Sequence, residues 1–146
     1  SIDKKFVEVM QNCAATRPGS DGTWITDEMF SAYSTLHQEG VAHSVEVWSG
    51  ARLVGGLYGV AIGKVFFGES MFSKEANTSK LALVYLVNQL QSWGFELIDC
   101  QVTSNHLLSL GATEISRNHF MEELDRLLVQ QALPIAWQDD SPAENK

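Results

Sequence analysis

This sequence predicts an α/β sandwich: a mixed, mostly antiparallel sheet flanked by helices. Three observations carry that reading. Three strand-like segments between residues 43 and 70 follow one another across two short turns, Ser49-Gly50 and Gly63-Lys64. A strongly amphipathic helical pattern comes next, and then another strand-like segment, so the meander gains a strand through a helical crossover. Two further helical patterns precede the meander and one follows the last strand-like segments.

Residues 2–15, IDKKFVEVMQNCAA, place Ile2, Phe6, Val9, Met10 and Cys13 on one helical face. RPGSDG at 17–22 reads as a loop. Thr26 or Asp27 caps a second helix to about Gln38, with Met29, Phe30, Tyr33 and Leu36 inward, and Gly40 stops it. HSVEVW at 43–48 alternates, with Val45 and Val47 on one face and Ser44, Glu46 and Trp48 on the other. RLVGGLYGVAI at 52–62 and KVFFGES at 64–70 are the next two strands, and MFSKEANTS reads as a connection. The helix at 79–94 carries Leu83, Leu86, Val87 and Leu90 as its apolar stripe, with Ser79 or Thr78 as cap and Gly94 at its end. FELIDCQV at 95–102 is a strand, NHLLSLG at 105–111 a short helix, and ATEIS at 112–116 a short strand. A last helix starts at Arg117 or Asn118 and runs to about Gln131; the polar tail QDDSPAENK, 138–146, is expected to be disordered.

Composition narrows the function classes. A chain of 146 residues fits one domain, and 45% hydrophobic with 19% charged residues is a globular balance. No apolar run approaches the ~20 residues that span a bilayer, and no charged-then-apolar leader opens the sequence, so a cytoplasmic protein without a membrane role is expected. Its two cysteines, Cys13 and Cys100, read as reduced thiols. A net charge of −8 argues against a broad nucleic-acid surface, which needs clustered Lys and Arg. His37, His43, His106 and His119 show no ligand spacing with one another or with the cysteines, so neither a metal nor a cofactor is expected. The serines lack a nucleophile-elbow setting, and no Gly-rich phosphate loop precedes the helix at 79–94.

Two segments carry chemistry where a strand should carry Val or Ile. GESMFS at 68–73 holds Glu69, and LIDCQV at 97–102 holds Asp99 and Gln101. Strand alternation puts Asp99 and Gln101 on one face and Ile98, Cys100 and Val102 on the other. Two readings stay open from pattern alone. An acid and an amide at a strand end satisfy loop backbone groups, or they form a site at the sheet's end. Glu69 is likewise an edge-strand charge or a site residue. Cys100 reads as core, and the Leu83–Leu90 stripe reads first as core and second as a ligand pocket.

The runs GTWIT (22–26), AHSVEVW (42–48), LVGGLYGVAIG (53–63), GESMFS, SK (79–80), LIDCQV and HLLSLGA (106–112) resemble the leucyl/phenylalanyl-tRNA–protein transferases. The resemblance covers about residues 6–137. It implies an acyl-CoA N-acyltransferase-like (GNAT-like) domain over residues 1–137, followed by an acidic tail, 138–146. It implies transfer of Leu or Phe, less well Met, from aminoacyl-tRNA to proteins with an N-terminal Arg or Lys, marking them for degradation by the N-end rule. Asp99, Gln101 and Glu69 match the family's catalytic positions. Leu57, Phe66, Leu83, Leu86 and Ile98 match the lining of the donor side-chain pocket, although parity turns Ile98 away from Asp99. Trp24 matches a tryptophan near the terminal adenosine of the tRNA. Family members carry a further N-terminal domain that contributes to the tRNA cleft, and this sequence starts within the linker to the catalytic domain. The alternative is therefore a non-catalytic relative that binds basic N-termini or a partner chain.

Overall fold

The computed structural model describes residues 1–15, 26–100, 107, 109 and 111–138. Among the described residues, the bounded elements are α1 (Phe6–Ala15), α2 (Asp27–Gln38), β1 (Ala42–Ser49), β2 (Arg52–Ile62), β3 (Val65–Ser73), α3 (Thr78–Ser92), β4 (Leu97–Asp99) and α4 (Arg117–Leu127). The sheet order is β1-β2-β3-β4. The first three strands are an antiparallel meander, and β4 joins β3 in parallel after the α3 crossover. This is the mixed, mostly antiparallel sheet that the strand and turn pattern predicts.

Each sheet face has its own core. On one face α3 covers Val45, Leu57 and Phe66 with Ala82, Leu86 and Leu90, and Trp93 and Phe95 extend the cluster. On the other, α1 and α2 cover Leu53, Tyr58 and Phe72 with Phe6, Val9, Met10 and Cys13. Phe66 and Leu86 are each 1% exposed, and burying side chains of that size contributes about 2–3 kcal/mol apiece. Thr78 anchors α3 on β2: its hydroxyl lies 2.8 Å from the Val54 carbonyl oxygen. A side chain at Gly55 would collide with Thr78, so the glycine lets helix and strand meet.

Helix ends follow local chemistry. Thr26 accepts from the Met29 N–H and Ser116 from the His119 N–H, capping α2 and α4. Gly40 and Gly94 stop α2 and α3 with φ of 81° and 88°. The residue after each glycine turns its N–H back onto the helix, Val41 to the Leu36 carbonyl and Phe95 to the Leu90 carbonyl.

Several expectations are corrected: the last helix ends at Leu127 rather than near Gln131, and the first starts at Phe6, with Ile2 in the α3-side core. The N-cap of α3 is Asn77, at φ 68° and with no side-chain cap bond, because the Thr78 hydroxyl is turned to Val54. Strand β3 continues through Met71 and Phe72 to Ser73, since that length faces β2. Strand β4 holds three residues: Phe95 still serves the end of α3, and Cys100 lies outside the ladder. Residues 112–116 form no strand; Ile115 is 41% exposed, and an isolated alternating pentapeptide has no ladder to join. The expected loop at 17–22 and the tail beyond residue 138 lie outside the described residues.

The terminal segments close the sandwich. Ile2 bridges to Val45 beside β1, and Glu46, 2% exposed, accepts from the Lys4 and Lys5 backbone N–H groups and the Ser44 hydroxyl. That sets a carboxylate at the positive end of α1. His43 lies with Nδ1 2.7 Å from Asp3 and Nε2 2.9 Å from the Gly40 carbonyl, and Trp137 stacks on its ring at 4.0 Å. Trp137 also meets Phe66, Trp93 and Phe95 and so seals the α3-side core.

Candidate active site

Of the site residues predicted from sequence, Asp99, Ile98 and Phe66 lie on the β3–β4 ladder, Glu69 lies further along β3, and Leu57, Leu83 and Leu86 pack on the α3 side of the sheet. The ladder register pairs Val65 with Leu97, Phe66 with Ile98 and Phe67 with Asp99. Partners in register share a face. Ile98 therefore lies with Phe66 on the α3 side, and it packs there with Leu57, Leu83 and Leu86. Asp99 lies with Phe67 on the side of α1 and α2. Strand parity predicts that separation of Ile98 from Asp99, and the aliphatic cluster resolves it: the apolar residues occupy one face and the carboxylate the other.

Glu69, two residues beyond Phe67, shares the carboxylate face by alternation, and it sits where the β2–β3 register shifts. Tyr58 pairs with Ser70 while Gly59 pairs with Gly68, so Glu69 is the extra residue of a β-bulge. Burial first, and then the neighbouring Glu69 carboxylate, push the Tyr33 phenol of α2 up to about 12. Tyr33 therefore stays a proton donor throughout the neutral range. Its orientation is held by aromatic packing: its ring meets Tyr58 edge-on at 5.6 Å, and Phe6 meets Tyr58 edge-on at 5.9 Å.

Glu69, Asp99 and Cys100 are half-buried. Burial, and then the Asp99 carboxylate, raise the Cys100 thiol above its ordinary range, which makes a poor nucleophile at neutral pH. Gly68 runs beside the Asp99 carbonyl; an added Cβ there would sit 3.6 Å from that oxygen. Leu57, Phe66 and Leu86 are buried in the α3-side core, and Leu83 and Ile98 are half-buried at its margin. Gln101 and Trp24 lie outside the described residues. Among the described residues no three His, Cys, Asp or Glu side chains gather as a metal would require, and no helix is long and apolar enough to cross a membrane.

The comparisons with known proteins agree on family and fold. The family described as "Leucyl/phenylalanyl-tRNA protein transferase" matches residues 1–125. The chain belongs to that family. It is 52% identical over 143 residues to the leucyl/phenylalanyl-tRNA–protein transferase of Cellvibrio japonicus, covering 97% of this chain and 61% of that protein. It is 62% identical over 125 residues to the protein of the same name from Hahella chejuensis, covering 86% of this chain and 53% of the relative. The Nitrosomonas europaea transferase is 58% identical over 132 residues, covering 90% and 55%. The chain thus spans about half to three fifths of the length of the transferases it matches. In three dimensions it is similar to a solved chain of AAC(6')-Iy in complex with a bisubstrate analogue. That likeness has a TM-score of 0.52 at 15% identity and covers 80% of this chain and 94% of the other. The fold is accordingly the GNAT-like one.

The inward position of Tyr33 on α2 is legible in the helical period, but the sequence reading does not link it to Glu69, whose carboxylate helps to raise its phenol. That reading also gives Glu46 no role. The alternation of β1 turns Glu46 away from Val45 and Val47, and the path of residues 1–5, together with the Ser44 hydroxyl, supplies its donors.

Proposed function

We propose that this domain transfers Leu or Phe, and less well Met, from aminoacyl-tRNA to the α-amine of proteins that begin with Arg or Lys, in the cytoplasm. One observation carries the reading beyond family membership. At the end of the β3–β4 ladder, Asp99 and the bulged Glu69 share one sheet face while Leu57, Phe66 and Ile98 share the other. The carboxylates suit a cationic acceptor, and the aliphatic cluster suits an apolar donor side chain.

The chemistry asks little of a base. The donor ester is already activated, and an acceptor α-amine of reference pKa about 8 is partly neutral at pH 7. A glutamine amide is a poor base, so Gln101 acts by accepting a hydrogen bond from the attacking amine and aiming it at the carbonyl. Asp99 orients Gln101 or the amine and offsets the positive charge that develops on nitrogen. Glu69 adds the negative potential that favours an Arg or Lys side chain beside the amine. Leu57, Phe66, Leu83, Leu86 and Ile98 receive the donor side chain and Trp24 the terminal adenosine. An apolar pocket separates single methyl groups by only ~1–3 kcal/mol, which admits Met.

The deciding assay follows labelled Phe from Phe-tRNA to a peptide starting with Lys or Arg, against a control peptide starting with Ala. Transfer to the basic peptides alone supports the reading. If transfer is absent both for this chain and for a chain extended to the length of its relatives, a non-catalytic binder of basic N-termini takes its place.

A further inference from the structure

We propose that Trp137 is a positioning residue for Phe66 and so sets how large a donor side chain the α3-side cluster admits. The proposal deepens the transferase reading and rests on it. Trp137 lies beyond α4, at a φ of 67° that a residue with a side chain rarely adopts. Such a backbone persists where its surroundings fix it. Here they do so through the ring. The indole stacks flat on His43 at 4.0 Å, with the ring planes 2° apart. It also meets Phe66 at 5.7 Å, Trp93 at 4.8 Å and Phe95 at 6.0 Å.

The neighbours of Trp137 are themselves held. His43 is buried, with Nδ1 2.7 Å from Asp3 and Nε2 2.9 Å from the Gly40 carbonyl, so the ring under the indole is pinned at both nitrogens. The segment that carries Trp137 is tied to the end of α3 by the Leu133 N–H, which donates to the Trp93 carbonyl. Phe66 is 1% exposed, and a Cβ on Gly59 would lie 2.6 Å from the tip of its ring. The sheet backbone therefore limits that ring at its tip, and Trp137 fills the space between it and Trp93. Phe66 in turn pairs with Ile98 and shares one cluster with Leu57, Leu83 and Leu86. Leu83 and Ile98 are half-buried, so a donor side chain enters on their side. About 15 Å of helix separates Leu83 from Trp93. Trp137 sits at the Trp93 end and acts on the donor through Phe66. A close-packed ring gives way only when the residue behind it does.

Trp137→Leu keeps the segment apolar and removes the ring behind Phe66. Trp137→Phe, which keeps an aromatic ring there, replaces it if the folded fraction falls. Phe66→Leu and the double variant complete the cycle. In the full chain, Trp137→Leu is expected to let Phe66 fall back, raising kcat/KM for Phe-tRNA over Leu-tRNA about fivefold while the acceptor-peptide KM stays within about twofold. In the Phe66→Leu background it is expected to change that ratio no further. The aromatic ¹³C resonances of labelled Phe66 must move in either Trp137 variant, because the ring current of the indole is gone. A donor ratio that stays the same or falls overturns the proposal. So does a rise of equal size in the Phe66→Leu background, or Phe66 resonances indifferent to Trp137. If no form of the protein transfers Phe, the transferase reading falls. Binding of 3′-phenylalanylamino- and 3′-leucylamino-3′-deoxyadenosine, which needs neither tRNA nor acceptor, then decides Trp137 alone. An affinity ratio that moves toward the phenylalanyl compound in Trp137→Leu supports its role. An unchanged or opposite ratio, or no binding by any form, overturns it.

Discussion

Glu46 and Glu69 are glutamates within strands of one sheet, and both turn toward the layer of α1 and α2, yet their surroundings differ in kind. Glu46 is buried and accepts from two backbone N–H groups ahead of α1 and from Ser44. Its donors belong to the frame of the fold and are fixed when the fold forms. Glu69 is half-buried on a bulge, and its carboxylate helps to raise the Tyr33 phenol of α2. The first arrangement fits a carboxylate that holds the N-terminal segment in place. The second fits a carboxylate at the margin of the fold, partly exposed to solvent. A charge in a strand is thus informative only together with the donors around it, and backbone donors mark the structural case.

The sharpest test of the contrast is Glu46→Ala. It strands several buried donors and should cost about 3–4 kcal/mol of stability, measured by urea unfolding, while transfer per folded molecule stays within about twofold. A large loss of specific activity would erase the distinction. Asp99→Asn should do the reverse. Transfer of Phe at saturating substrates should fall about 100-fold, with the urea midpoint nearly unchanged.

Next in size is the Tyr33 phenol. In Glu69→Gln its titration should drop from about 12 toward, but not to, 10, because burial remains after the carboxylate's charge is gone. The sign for stability follows. A phenol raised in the folded state contributes stability that is complete below about 10 and is lost as pH rises through about 12. Glu69→Gln should narrow that alkaline loss, as read by unfolding at pH 9 and 11. The smallest effect concerns Cys100. Asp99→Asn removes one cause of its raised pKa, so alkylation by iodoacetamide at pH 8 should quicken about two- to fourfold. Burial should still keep it slower than a free thiol. An unchanged rate would mean that the Asp99 charge does not reach that sulfur.

Periodicity and turn chemistry determined most of the frame. Strand β2 spans the residues that its pattern predicts, and α1 buries Phe6, Val9, Met10 and Cys13 as the helical period requires. Thr26, Gly40 and Gly94 act at the helix ends where the sequence places them. These are local effects, decided by dihedral preference and by hydrogen bonds only a few residues apart, so a single sequence carries them. Parity on β4 also separated Ile98 from Asp99 correctly.

Only the tertiary structure decided the rest. It shortened β4, dissolved the strand expected at 112–116, and moved the cap of α3 to Asn77 when Thr78 was claimed by Val54. It made Glu46 a buried acceptor for a segment about forty residues away, and it slipped the β2–β3 register by one residue at Glu69. Each of these depends on which partner wins a hydrogen-bonding group across the sheet or between layers. That competition is settled by packing at long range, and residue spacing along the chain does not encode it.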